Sequence, residues 1–290
     1  LPVLHVPGAV TGFFHPIICS RPKECGSPGF GISIREVVRV EVEPGPRGLE
    51  VKADEPVDTK VTTISLYVLR KHGVEVPRGL KITYSFRAPP GCGMGTSAAS
   101  ALGTIAGVAA VSGENPDRDW VHRRAHEVEI LAKTGVGDVT TIYHGGAVLR
   151  LTTGYPDEVI TVQVKMPKNV YINVYDPKPL ETRDLVDRIP ECHFAENLIE
   201  EVADDPRIET AMEASLKFAE HLGMFDEPLK KAKELNRRDE VIGASVAMLS
   251  GTVFAVAEEP DPEAYNTFKP AEPFDPGAAL NVRVRGEDGW

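Results

Sequence analysis

Pro89-Pro90-Gly91-Cys92-Gly93-Met94-Gly95-Thr96-Ser97-Ala98-Ala99 is the stretch from which the remainder of this chain is best understood. Gly91, Gly93 and Gly95 stand at alternate positions. Glycine admits positive φ and removes the β-carbons that would hold the main chain away from a ligand, so the segment is expected to form an open ring of amides. A tight turn capping a core helix needs only one such glycine; three cost backbone entropy that a bound group would explain. Thr96 and Ser97 open a run rich in alanine and leucine with no proline before Pro116, the pattern of a helix whose N-terminus points into the loop. Free amides and the positive end of the helix dipole favour a phosphate there. No Gly-Lys-Ser/Thr follows, which excludes a Walker loop, and the missing Gly-x-x-Gly spacing excludes a Rossmann fingerprint.

Working outward, Leu80, Ile82, Tyr84 and Phe86 alternate as a strand running into the loop, and Val61, Ile64, Leu66 and Leu69 mark a helix over about 59–72. The loop's own helix is expected over 96–112, and a second over about 119–133, ending at the turn Thr134-Gly135-Val136-Gly137-Asp138. Towards the N-terminus, Leu1–Val6 is a short strand that Pro7-Gly8 should end. Gly26–Gly31 is a second glycine-rich loop before strand segments 32–34 and 37–42, and Pro44–Gly48 should turn a hairpin into 49–51. Beyond Gly145-Gly146, strands are expected at 147–151, 159–164, 170–174, 252–256 and 280–284. Helices are expected from Thr182 to about Leu222 and from 228 to 237, whereas 242–249 fits strand or helix. The boundary between two domains is expected near Gly154-Tyr155-Pro156, giving units 1–157 and 158–290.

The chain has 290 residues, enough for a full core and two domains. Its net charge of -11 argues against general nucleic-acid binding. No apolar stretch approaches a membrane span, and the N-terminus does not resemble a signal peptide, so a cytoplasmic protein with no membrane partner is expected. Cys19, Cys25, Cys92 and Cys192 lack paired spacing and imply neither zinc nor a disulfide framework. Cys92 is either a reactive thiol in the loop or a small residue filling a gap.

The glycine loop resembles, nearly residue for residue, the second motif of the GHMP small-molecule kinases, Pro-x-Gly-x-Gly-Leu-Gly-Ser-Ser-Ala-Ala, with Met94 for Leu and Thr96 for Ser. Two further blocks are similar to that family's motifs: Val6-Pro7-Gly8-Ala9-Val10-Thr11-Gly12, and Ser245 to Ala255. Within the family, Pro-Gly-x-Val-Thr-Gly-Phe-Phe, Gly-Val-Gly-Asp-Val and Ala-Met-Leu-x-x-Thr-Val-Phe-Ala look most like the archaeal pantoate kinases of coenzyme A biosynthesis. The resemblance implies an α+β, GHMP kinase-like two-domain fold, with a ribosomal protein S5 domain 2-like N-terminal domain and a ferredoxin-like C-terminal domain. It implies ATP and magnesium as cofactors and a small hydroxy acid as substrate. Mevalonate or homoserine kinases of the same family, or a non-catalytic nucleotide-binding regulatory protein, are the alternatives. Ala9 departs from the pattern, standing where a basic residue is expected.

Phosphoryl transfer needs a phosphate cradle, a divalent ion and a group that takes the acceptor's proton. By the resemblance, Pro90, Gly91, Gly93, Met94, Gly95, Thr96, Ser97 and Ala98 hold the nucleotide. Ser97 and Glu129 serve magnesium, with Glu127 as the competitor, and Asp138 is the general base. Ser97 could otherwise cap the helix, and Asp138 could otherwise bond its own turn. For the carboxylate of a hydroxy acid, Arg150 offers a two-pronged guanidinium, and His126, Thr182 and Ser27 are further candidates. A homodimer is expected only from the commonness of two-fold assemblies.

Overall fold

The computed structural model describes residues 1–17, 19, 21–179, 193–248 and 250–281. Ten strands and eight helices are assigned among them. The first sheet holds β1 (Val3–Phe14), β2 (Gly29–Pro44), β3 (Gly48–Ala53), β4 (Gly79–Phe86), β5 (Ala147–Arg150) and β6 (Thr161–Val164). Four helices accompany it: α1 (Lys60–Lys71), α2 (Thr96–Val111), α3 (Arg118–Ala132) and α4 (Asp138–His144). The second sheet, β7 (Tyr171–Tyr175), β8 (Val241–Val246), β9 (Val253–Ala257) and β10 (Asn266–Phe268), is antiparallel in the order β10-β7-β9-β8. Helices α5 (His193–Asp204), α6 (Ile208–Leu222) and α7 (Asp226–Leu235) lie between β7 and β8 in sequence, and α8 (Pro276–Asn281) follows β10.

β2 is the spine of the first sheet. β1 pairs along one edge, while β4 and β5 lie end to end along the other, at Val38–Pro44 and Gly29–Ile32 of β2. Between those two stretches the β1–β2 register shifts, and Glu36 adopts φ +51, as at a β-bulge. The alternation predicted for β4 holds: Leu80, Ile82 and Tyr84 are buried. Helix α2 is buried along nearly its whole length and lies directly on β2. A Cβ at Gly103 or Gly107 would come within 2.5 Å of Val40 Cγ2 or Val42 Cγ2. Small side chains thus let the loop-bearing helix sit deep in the core.

Four expectations are corrected. Pro7-Gly8 does not end the first strand: β1 passes through it with a register shift between Val6 and Gly8, where proline's missing donor is tolerated. Gly8 serves close approach, since a Cβ there would lie 2.2 Å from the Met94 carbonyl. Pro44–Gly48 does not make a hairpin; β3 runs parallel to β4, which separates it from β2, and α1 supplies the crossover that a parallel pair requires. Residues 280 and 281 end helix α8 rather than begin a strand. Cys19 and Cys25 form a disulfide, because Ile17 and Gly26 exchange backbone hydrogen bonds and close a hairpin between them. Neither α4 nor β10 was expected from sequence pattern.

Candidate functional site

Three separated motifs meet at the glycine loop. Gly91, Gly93 and Gly95 take φ values of +81, +70 and +67, so the predicted left-handed turns are present. Ala9 N–H on β1 donates to the Met94 carbonyl at 3.2 Å, and a Cβ on Gly95 would lie 2.5 Å from Ala9 N. A Cβ on Gly93 would lie 2.6 Å from Ser250 Oγ, just past β8. Met248 N–H donates to the Thr11 carbonyl at 2.9 Å, closing the circle between the first and third motifs. Ala9 itself is fully buried among apolar side chains. Cys92 is buried too, and its thiol is pushed up to about 11 by burial, which fits the gap-filling reading.

Helix α2 starts from Gly95, and no side chain among the described residues caps it. Its first amides therefore face the loop without an internal acceptor, the arrangement that receives an anion. Ser97 does not cap the helix either: its hydroxyl donates to Glu129 Oε1 at 2.6 Å. Thr134 Oγ1 donates to the same oxygen at 2.6 Å. Glu129 is 1% exposed, and its Oε2 is buried with no hydrogen-bond partner among the described residues. Burial, with the charge of Asp138 nearby, raises its carboxyl to about 7 against the two donated hydroxyls. Glu127, two residues earlier on α3, faces the other way and is occupied by His72 Nε2 at 2.9 Å and Arg124 Nε at 3.1 Å. That separates the two glutamates: only Glu129 reaches the loop.

Asp138 opens α4, where a carboxylate is favoured by the dipole. Thr11 Oγ1 donates to its Oδ1 at 3.0 Å. Burial raises the Asp138 carboxyl, while the Arg150 guanidinium and the Thr11 hydroxyl pull it down. Arg150 is 1% exposed at the end of β5. Its Nε donates to the Ser27 carbonyl at 2.7 Å and its Nη1 to Thr141 Oγ1 at 2.5 Å, while Nη2 is buried without a partner among the described residues. Nη2 lies 3.1 Å from where a Cβ on Gly137 would be, beside the base candidate. Two of its five N–H donors are thus spent on the fold, and the unpartnered Nη2 is the nitrogen left to meet a ligand. Desolvation lowers Arg150 to about 10, opposed by Asp138.

Ser27 is buried in this cluster through its carbonyl. His126 is buried as well, but its Nε2 donates to the Pro22 carbonyl at 3.0 Å and its ring meets Tyr155 edge-on. It fastens the hairpin that leads to Ser27, and burial holds it below the usual histidine range. Thr182 lies outside the described residues. Sequence reasoning missed Thr11, Thr134 and Thr141, although Thr11 stands inside the first motif and Thr134 inside the expected turn.

Residues 60–146 match the model of the GHMP kinases N terminal domain. The chain is 28% identical over 262 residues to pantoate kinase of Methanocaldococcus jannaschii, covering 88% of this chain and 93% of that protein. It is 29% identical over 275 residues to pantoate kinase of Thermococcus kodakarensis, covering 89% and 88%. A solved structure described as a phosphotransferase related to the CoA biosynthesis pathway superposes with a TM-score of 0.75 at 27% identity, covering 89% of this chain and 88% of that one. The mixed α+β architecture, the glycine loop and these matches together make the chain similar to the GHMP kinases, the family whose N-terminal domain residues 60–146 match.

Proposed function

We propose that this protein is an ATP-dependent pantoate kinase, a phosphotransferase acting on an alcohol group and making 4-phosphopantoate in archaeal coenzyme A biosynthesis. The observation that carries the reading is the juxtaposition of a carboxylate, Asp138, with an uncapped helix that rises from three left-handed glycines. Similarity to pantoate kinases along about 88% of the chain supports the acceptor.

The loop 90–98 would hold the nucleotide phosphates through backbone amides. Ser97 and Glu129 would hold magnesium, and the fit is supported by the orphaned Glu129 Oε2, a buried carboxylate oxygen left for a cation. A bound magnesium ion supplies neutralisation of phosphate charge. Asp138 accepts the proton of the acceptor hydroxyl. Thr11 orients that carboxylate, the Thr11 hydroxyl and the Arg150 charge favour its ionised form against burial, and Arg150 Nη2 is available to a carboxylate oxygen of the acceptor. Ser27, His126 and Thr182 are retained as substrate-side candidates, the first two by position around Arg150 and the hairpin before it.

A coupled assay of ADP release with pantoate, mevalonate and homoserine tests the acceptor; faster turnover with either of the latter two rejects pantoate. Magnesium-dependent ATP binding with no acceptor-stimulated release favours a regulatory nucleotide binder, the reading that the apolar setting of Ala9 would support. The two-domain division near residue 157 is part of the proposal, with β6 of the second half returning to complete the first sheet. A cytoplasmic enzyme and a homodimer complete it; scattering mass against the 31.5 kDa chain tests the dimer. Among the described residues no helix is long and apolar enough to cross a membrane.

A further inference from the structure

A cavity of about 650 Å³ opens at the corner where α4 ends and β5 begins, lined by His144, Gly145, Gly146 and Ala147. Its position comes from the chain itself. Gly145 and Gly146 take φ +68 and +64, and a Cβ on Gly145 would lie 2.3 Å from Pro273 N. Gly146 N–H donates to the Ala271 carbonyl at 2.7 Å, and Ser33 N–H donates to the Gly146 carbonyl at 2.8 Å. The corner is thereby pinned between β2 and the segment that follows β10.

Three cations line the cavity from three separate segments: Arg35 on β2, Lys168 between β6 and β7, and Lys269 just after β10. Arg35 donates through Nε to the Pro270 carbonyl at 3.2 Å, and the Lys269 ammonium stands 3.3 Å from the centroid of the Tyr171 ring. Among the described residues Glu272 is the one acidic residue in the lining. The chain as a whole has 43 acidic and 32 basic residues, so a three-to-one excess of cations in one concavity runs against its composition. A volume of this size suits a small organic molecule rather than a lone ion, and cations brought to one concavity by three separate segments suit the oxygens of a phosphate head.

The cavity also touches both elements that carry the candidate base and its guanidinium. Helix α4 begins at Asp138 and ends at His144, and β5 begins at Ala147 and ends at Arg150. Seven helical residues and four strand residues each span roughly 10 Å. We propose that this cavity is a second anion site, taking a small organic phosphate, and that its occupancy alters turnover by fixing the corner shared by α4 and β5.

The test uses the full chain with its catalytic phosphate site filled by a non-hydrolysable ATP analogue and magnesium. Calorimetric titration with glycerol 3-phosphate is expected to show one saturable site, with glutarate, a dicarboxylate of similar charge, binding more weakly. Arg35→Ala/Lys168→Ala/Lys269→Ala should lose that binding at least tenfold. ADP release at saturating ATP and pantoate should change at least twofold on adding glycerol 3-phosphate to the parent protein and stay constant in the triple variant, whose basal rate is unchanged. The single change Lys168→Glu, at an exposed position, gives the same readout if the triple variant does not fold. No saturable heat in the parent protein, tighter binding of glutarate, binding retained in the variants, or occupancy without a change in turnover overturns the proposal. Loss of all ADP release reports on the kinase reading instead, because the calorimetric result does not depend on it.

Discussion

Thr11 Oγ1 donates to Asp138 Oδ1 at 3.0 Å, joining residues 127 positions apart. The same threonine accepts Met248 N–H through its carbonyl, so the candidate base is oriented by the first motif while the third motif holds the first. A donated hydroxyl stabilises the ionised carboxylate, opposing the burial that raises it. Thr11→Val keeps the shape and removes the donor. Turnover should fall roughly tenfold to a hundredfold, the cost of a hydrogen bond to a charged group. The acid limb of the pH–rate profile should move to higher pH, since the base must be ionised to act. Thr11→Ser should restore both; an unmoved acid limb in Thr11→Val would show that the hydroxyl is only structural.

Asp138→Asn leaves a similar volume and no proton acceptor. The expected loss in kcat is roughly 10²- to 10⁴-fold. ATP affinity, measured by equilibrium titration, should barely change, because the proposal assigns the nucleotide to the loop amides, Ser97 and Glu129 rather than to Asp138. An effect confined to the KM for ATP would reverse the assignment of the two sides.

Glu129 is held at about 7, above its ordinary value, chiefly by burial. The sign follows: the folded state prefers the protonated carboxyl, so its stabilising contribution is complete below about pH 4.5 and is lost as pH rises through 7. In EDTA, thermal stability should therefore decline between pH 5 and pH 8, by at most about 3 kcal/mol from this group. Glu129→Gln should flatten that decline, and an unchanged slope would refute the assignment. Magnesium binding in the presence of nucleotide should tighten over the same interval, since the ion needs the carboxylate.

Arg150 bridges the Ser27 carbonyl and Thr141 Oγ1 while facing Asp138. Arg150→Ala leaves buried polar groups and a carboxylate without their partner, a loss of about 3–5 kcal/mol. Arg150→Lys should rescue little of it, because one ammonium cannot reproduce the planar fork that reaches both acceptors. Chemical denaturation measures the stability. If Nη2 also meets the acceptor's carboxylate, the KM for pantoate rises in the folded fraction of Arg150→Lys.

Gly93→Ala tests the cradle. The position has φ +70, and the added methyl would lie 2.6 Å from Ser250 Oγ. A side chain in the left-handed region costs about 1–2 kcal/mol, and relief of the contact would move the loop amides. The KM for ATP should rise roughly tenfold, with pantoate kinetics little affected; an unchanged KM for ATP would place the phosphates elsewhere.

The α+β class, the three left-handed glycines and helices α1, α2 and α3 were legible in the sequence because each depends on neighbours in the chain. Alternation from Leu80 to Tyr84, apolar spacing from Val61 to Leu69, and glycines at alternate positions before Thr96 are local signals, and the backbone obeyed them. Asp138, Ser97 and Glu129 were legible as candidates through the motifs that carry them. Tertiary structure decided what contacts at long range alone can decide. It made Gly8 a point of close approach rather than a turn, since only the folded chain brings Met94 against it. It paired β3 with β4 because the edge of β2 is filled by β4 itself. It separated Glu129 from Glu127, two residues apart on one helix, because successive side chains of α3 face different neighbours. It spent two donors of Arg150 on a carbonyl and a hydroxyl from distant and nearby segments, and it brought Thr11 to Asp138. A side chain's type states what it can bind; which partner it meets, and which of its atoms remain free, follows only from the packing of the whole chain.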